Sequence, residues 1–282
     1  MRNPYRTQKI AFFFLLLATL LIVIPVGLIV VVIIQKGLPA INWQFLSDIP
    51  RQGMRAGGIF PAIVGTLYLV SGAILFALPI GLLAAIYLSE YARDNLLTRM
   101  IKLAIVNLAG VPSVVYGLFG LALFVVFLKF GASILAGSLT LGIMILPVII
   151  TTSREALESV PQSFREVSLS LGASKWQTIR HIVLPNAIPG ILTGTILGLG
   201  RAAGETAPIL FTVAAFYLPR LPQSVFDQAM ALPYHLYVIS TQVPNVDEKI
   251  RYGTAFVLLT LVLFMNLVAI VIRTKFRKKK KW

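Results

Sequence analysis

Cysteine is absent from the 282 residues, so neither a disulfide nor a thiolate metal site can form. Histidine is nearly absent. His181 and His235 are the only two, and neither stands in an H-E-x-x-H pattern. No glycine is followed by lysine, which excludes the G-x-x-x-x-G-K-[ST] phosphate loop and with it a P-loop nucleotide site in this chain. Charge is scarce: Asp, Glu, Lys and Arg make up 12% of the residues, against about 25% in a soluble domain. Hydrophobic residues take their place at 57%, which is the composition of a membrane protein.

A spanning helix needs roughly 20 mostly apolar residues. Six segments meet that requirement: Ile10–Ile34, Pro61–Leu88, Leu103–Leu128, Ser133–Thr152, Ala187–Phe216 and Thr254–Ile272. The second and fifth are long enough to require tilt, kinks or extension beyond the lipid. Pro79, Pro147 and Pro208 lie inside spans, where each removes a helical hydrogen bond. The first segment starts with Arg2, Arg6 and Lys9 like a signal peptide. Its apolar run is too long for one, and no A-x-A-like site follows, so it is expected to be retained as a span.

The net charge of +15 has to be placed before it is interpreted. With the N-terminus in the cytoplasm, seventeen of the 25 basic residues fall in cytoplasmic segments and seven in outer loops, with Arg201 inside a span. That bias places both termini inside. The basic tail Arg273–Lys281 then anchors the topology on an anionic leaflet, and no nucleic-acid role is expected. Residues 1–56 read as a first helix with an external loop, 57–272 as the membrane domain with a cytoplasmic loop at 154–186, and 273–282 as the tail. The outer connection Tyr217–Gly253 holds Pro219, Pro222, Pro233 and Pro244 and reads as an irregular or short-helix loop facing an external partner.

The cytoplasmic loop contains "EVSLSLGASKWQTIRHIVLP", Glu166 to Pro185. Ser163 and Glu166 have S-x-x-E spacing, a capping-box signal that starts a helix near Ser163. Gly172 can end it in a left-handed conformation, and Leu169 and Leu171 offer apolar contacts. By itself this is an amphipathic helix with a glycine cap. The segment also resembles the E-A-A-x3-G-x9-I-x-L-P loop of bacterial ABC importer permeases at every spacing, with Val167 and Ser168 where alanines are preferred. The resemblance implies that Ser163, Glu166, Leu169, Leu171 and Gly172 dock into a separate ATPase subunit, which uses ATP and Mg2+; this chain binds no cofactor. His181 reads as a structural histidine.

The fifth span contains "GRAAGETAPIL", Gly200 to Leu210, within a run of glycines spaced G-x-x-x-G (Gly194/Gly198 and Gly200/Gly204). Such spacing suits close helix packing in a membrane. Arg201 lies 14 residues past Ala187, about 21 Å along a helix and beyond the midplane of a ~30 Å core. Glu205 is one turn further on the same face. Pro208 leaves the Gly204 carbonyl without its helical donor, and Thr206 adds a hydroxyl. An arginine there costs about 2.5–3.5 kcal/mol on insertion scales, so such groups pair or serve a pathway. Spacing alone leaves a structural ion pair and a polar site equally open. "GVPSVVYG", Gly110 to Gly117, with Pro112 and Ser113, either lines a pathway beside Arg201 or forms a kinked, packed helix start.

"RAAGETAPIL" resembles the fifth-span block of phosphate ABC importer permeases, and the ending "GETAPIL" is nearer the A-type subunit than the C-type. "GGIFPAIVGTLYLV" and "GVPSVVYGLFG" are similar to the same family. The resemblance implies an all-α integral membrane protein of six spans with a MetI-like permease core, sited in the bacterial cytoplasmic (inner) membrane. It implies Arg201, Glu205, Thr206 and Ser113 along a phosphate pathway. It also implies a second, C-type permease subunit, two ATP-binding ATPase subunits and an extracytoplasmic phosphate-binding protein. A permease for sulfate or molybdate is the alternative within transport. An intramembrane enzyme built on Arg201 and Glu205 has no supporting metal cluster or nucleophile–histidine pair; this chain is expected to be a transporter subunit and not an enzyme.

Overall fold

The structure, a computed structural model, describes residues 4–278 except the side chains of Pro4, Arg6, Thr7 and Lys278; Arg2 and Lys279–Lys281 of the basic clusters lie outside the described residues. Helix α1 spans Pro4–Gly37. Its membrane-length window is exposed on every side, as an all-round apolar helix is when lipid or another chain is its surroundings. Its outer end meets the rest of the chain where Gly37 sits against the Tyr252 carbonyl and Phe256, leaving no room for a side chain. Short helix α2, Trp43–Ser47, is capped by the Asn42 side chain, which accepts from the Phe45 N–H at 2.8 Å. A two-residue hairpin, β1 (Pro50–Arg51) with β2 (Ala56–Gly57), closes this outer segment.

Helix α3, Phe60–Ile86, continues into a wider π-type turn at Tyr87–Tyr91. Helix α4, Leu96–Ala109, and helix α5, Ser113–Gly120, follow, the second extended by wide turns to Phe127. Helix α6, Ile134–Glu158, is the most enclosed span, with 67% of its window buried. Then come α7 (Gln162–Ser170), α8 (Lys175–Thr178) and, after wide turns at Ile179–Val183, α9 (Leu184–Gly204). Helices α10 (Ala207–Thr212), α11 (Leu232–Thr241) and α12 (Glu248–Lys278) complete the chain.

The third expected span is not one helix. Helices α4 and α5 meet at 101°, with Gly110–Pro112 at the elbow. Proline fixes its own φ and disfavours helix in the residue before it. The Tyr116 hydroxyl then donates to the Leu108 carbonyl at 2.8 Å and ties the two arms together. Taken as one broken span, the pair is long and apolar enough to cross the membrane. Its start follows the inner end of α3, and its far end reaches Phe130, whose ring meets Phe226 of the outer loop. Counted with the five long apolar helices, it brings the candidate spans among the described residues to six.

The fifth expected span, Ala187–Phe216, is also interrupted: α9 stops at Gly204, Glu205 is extended, and α10 resumes at Ala207. Pro208 lacks the N–H that a continuous helix would donate to the Gly204 carbonyl, so the chain breaks just before it. The central core joins α3, α5, α6 and α10 through Leu69, Tyr116, Leu141, Met144, Ile145, Ile149 and Ile209. Close approach is permitted by small residues at the seams: Gly194 of α9 lies against Thr152 of α6, and Gly120 of α5 against Thr140. The two G-x-x-x-G pairs behave differently. Gly194 and Gly198 face α6, Gly200 faces Asn266 of α12, and Gly204 has open space before it.

The outer connection folds back on the bundle. The Leu232 N–H donates to the buried Thr66 hydroxyl at 2.8 Å, and the Ile134 N–H donates to the Asp227 carbonyl at 2.9 Å. His235 is 3% exposed on α11, so it lies inside this lid and not on a partner-facing surface.

Candidate functional site

Two arginines outside the loops' ordinary ion pairs divide the chemistry of this chain. Arg165 is saturated and Arg201 is not. On α7, Arg165 bonds Glu90 from Nη2 at 2.7 Å and from Nε at 3.3 Å, the Val160 carbonyl from Nη1 at 2.6 Å and the Leu157 carbonyl from Nη2 at 2.8 Å. Every guanidinium nitrogen is used, and the two charged side chains are 12% and 8% exposed. Four of its five N–H donors are engaged, which leaves a single Nη1 hydrogen and no free fork for an oxyanion.

Arg201 lies in the last turn of α9, where the helix C-terminus favours a cation. Its Nε is 3.6 Å from Glu205 Oε1, and the side chains are 31% and 19% exposed. That separation makes an ion pair but exceeds the 2.7–2.9 Å of a charge-assisted hydrogen bond. No hydrogen bond from another described residue engages the guanidinium, so its planar fork remains available to an oxyanion.

The backbone break supports the same reading. Non-helical backbone at membrane depth persists only where protein buries it or a polar cavity receives it. Here Glu205 and Thr206 interrupt the helix one residue beyond Gly204 and are half-buried. Ala202 and Ala203 bury the opposite face of the same turn. Tyr116 of α5 packs in the core cluster with Ala202, the neighbour of Arg201. Gly117 admits α10 closely: a methyl there would meet the Phe211 ring at 2.7 Å. The structure thus brings Arg201, Glu205 and Thr206 together at one break beside α5. Ser113 opens α5, half-buried behind Pro112 at the elbow.

The cytoplasmic loop forms the second region. Gly172 has φ +84°, its N–H donates to the Leu169 carbonyl at 3.0 Å, and the Ala173 N–H donates to Ser168 at 3.2 Å. That is the Schellman ending expected of it. The expected capping box is elsewhere. Pro161 occupies the N-cap position, so α7 begins at Gln162 and Ser163 makes no capping bond. The box is formed by Ser174 and Gln177 at the start of α8, with bonds of 2.7 Å and 3.3 Å. The helix presents Glu166, Val167, Leu169 and Leu171 outward, while Phe164, Arg165 and Ser168 turn inward. Ser168 shares a 2.9 Å hydrogen bond with Thr178. His181 Nδ1 is 3.1 Å from the Gln177 carbonyl, a local structural contact.

Glu90 and Arg165 were not legible as partners, because 75 residues separate them. Asn266, a polar residue in the middle of α12 beside Gly200, was overlooked; one amide in a long apolar run was its only signal.

A family model described as "Binding-protein-dependent transport system inner membrane component" matches residues 77–282. The probable ABC transporter permease protein YqgI of Bacillus subtilis (strain 168) is 35% identical over 90% of this chain and 90% of its own length. The phosphate transport system permease protein PstA of Pasteurella multocida (strain Pm70) is 33% identical over 86% of this chain and 85% of its own. PstA 1 of Mycobacterium tuberculosis (strain CDC 1551 / Oshkosh) is 39% identical over 77% of this chain and 71% of its own. Among solved structures, a bacterial ABC transporter involved in import of the acidic polysaccharide alginate aligns with TM-score 0.61 at 18% identity, covering 95% of this chain and 99% of that one. An inward-facing MetNI methionine ABC transporter aligns with TM-score 0.59 at 16% identity, covering 78% and 94%. These two likenesses establish a MetI-like ABC permease fold.

Proposed function

This chain belongs to the family of binding-protein-dependent transport system inner membrane components, and from that premise we propose that it is the A-type permease subunit of an ATP-driven phosphate importer in the bacterial inner membrane. The observation that carries the reading is the unsaturated Arg201 fork at the break in α9, held at 3.6 Å by Glu205. A second permease subunit completes the pathway, and two ATPase subunits receive the outward face of α7. An extracytoplasmic binding protein delivers the anion.

The pair sets both affinity and choice of cargo. A guanidinium free to form two parallel hydrogen bonds binds tetrahedral oxyanions well. Glu205 competes for the same guanidinium, so the anion is released rather than trapped, as a translocation pathway requires. The carboxylate also distinguishes anions. Phosphate near neutral pH still carries a P–OH that can donate to Glu205, whereas sulfate has no proton to donate and meets only repulsion. This chain performs no covalent chemistry in the cycle. ATP hydrolysis occurs in the partner ATPase, and closure of that dimer moves α7.

Radiolabelled phosphate uptake by the full complex, with excess unlabelled sulfate as competitor, tests the cargo. Uptake blocked by sulfate as readily as by phosphate overturns it.

A further inference from the structure

We propose that Glu90 and Arg165 form a transmission clamp that makes the coupling helix and the inner ends of α3 and α6 move as one body. The proposal rests on the ABC-permease reading above and adds two positioning residues to it.

The coupling helix is a short segment between two loops, held to the membrane helices by this group, by Phe164 packed on the cluster beneath and by the Ser168–Thr178 hydrogen bond. One guanidinium binds the carboxylate at the end of α3 through two nitrogens and two carbonyls at the end of α6 through Nη1 and Nη2. Bidentate bonds fix direction as well as distance, so force on α7 passes to both helices without slack. A buried ion pair is weak evidence for stability, but it can specify one geometry. A second tie reinforces the first: Lys175 of α8 lies over the Tyr91 ring at 4.9 Å. Beneath these ties Ala85, Ile86, Leu157, Val160, Ile179 and Val183 form one buried cluster.

The receiving end is suited to the task. Glu90 lies in the wide turn Tyr87–Tyr91, where the hydrogen-bond pattern of α3 is already loosened. Such turns are frequent at functional positions. A cavity of about 600 Å³ with a mixed lining that includes Ser89, Glu158, Gln162 and Leu169 adjoins the pair. The inner end of α3 therefore has room to shift when α7 is pushed. Helix α3 in turn packs along α6 and α9, which carries Arg201, so the clamp connects the ATPase side to the site.

The test uses the complete complex. The chain has no native cysteine, so Arg93→Cys and Ser170→Cys, both at exposed positions, place spin labels on the two sides of the clamp. The label separation is expected to stay constant between nucleotide-free and ATP-trapped complexes, and to vary with nucleotide in Glu90→Gln. In the same Glu90→Gln complexes, uptake per ATP hydrolysed is expected to fall about 5–150-fold, the range of typical coupling energies. Hydrolysis per assembled complex persists, and Arg165→Lys with Glu90 native keeps part of the ratio because it retains the charge without the fork. A purely structural pair would lower assembly and leave the ratio unchanged. A label separation that changes with nucleotide in the otherwise native complex, or a normal ratio in Glu90→Gln, overturns the clamp. If the native complex moves no phosphate, the cargo reading fails while the label distances still decide the clamp.

Discussion

Arg165→Gln and Arg201→Gln remove the same charge from the same chain, yet they should have opposite consequences. Arg165 and Glu90 are 12% and 8% exposed, and deleting the arginine leaves a buried carboxylate without its counter-ion and the Val160 carbonyl without the guanidinium donor, while the Leu157 carbonyl keeps the Val160 N–H at 3.2 Å. Breaking a buried pair in this way costs about 3–5 kcal/mol. At roughly 2–4 °C per kcal/mol for chains of this size, thermal unfolding in detergent should shift down by about 10 °C. Arg201 and Glu205 are 31% and 19% exposed, with no hydrogen bond between them and no orphaned carbonyl. Removing Arg201 breaks no hydrogen bond within the chain, and the thermal shift should be no more than a few degrees. Unfolding is followed by near-ultraviolet circular dichroism or by a tryptophan signal, since the chain has three tryptophans. Equal shifts for the two variants would refute the distinction between a saturated and an available guanidinium.

Two further consequences concern the loops. His235 is buried in the outer lid, outside the spans, and burial lowers its pKa from 6.5 to about 4. Below 6.5 the unfolded chain takes up a proton that the folded chain refuses, so this contribution is fully present above pH 6.5 and declines as pH falls toward 4. His235→Leu should flatten the unfolding profile across that window; an unchanged slope would contradict it. Gly172 has φ +84° at the end of the coupling helix. Gly172→Ala forces a side chain into the left-handed region at a cost of about 1 kcal/mol and should reduce ATPase recovery on co-purification several-fold, with little effect on insertion of the chain itself. Full ATPase recovery would show that the ending of α7 does not matter for docking.

Much of the architecture follows from local rules. Apolar length locates α1, α3, α6 and α12, since a membrane span has little freedom besides its length. The glycine ending of α7 was legible because a positive φ is a local requirement. Sequence leaves the Gly110–Pro112 segment open between a pathway lining and a kinked, packed helix start, and the 101° elbow, with its Tyr116–Leu108 bond, exists only in the folded chain. Ser163 forms no capping box because α7 takes Pro161 as its N-cap, two residues earlier, and the box forms instead at Ser174 of α8. The i,i+4 spacing predicted the Arg201–Glu205 proximity, but Glu205 reaches its partner from extended backbone, not from the same helix. Glu90–Arg165 was invisible because nothing local joins residues 75 apart.

The most direct measurement is radiolabelled phosphate uptake in proteoliposomes holding the complete complex, normalised to assembled ATPase, with native chain and Arg201→Gln side by side. Saturable uptake that excess sulfate does not suppress is expected of the native complex. Losing two charge-assisted hydrogen bonds of about 1.5–3 kcal/mol each should take the variant to background. Normal uptake in assembled Arg201→Gln complexes would contradict the assignment of Arg201 to the phosphate pathway.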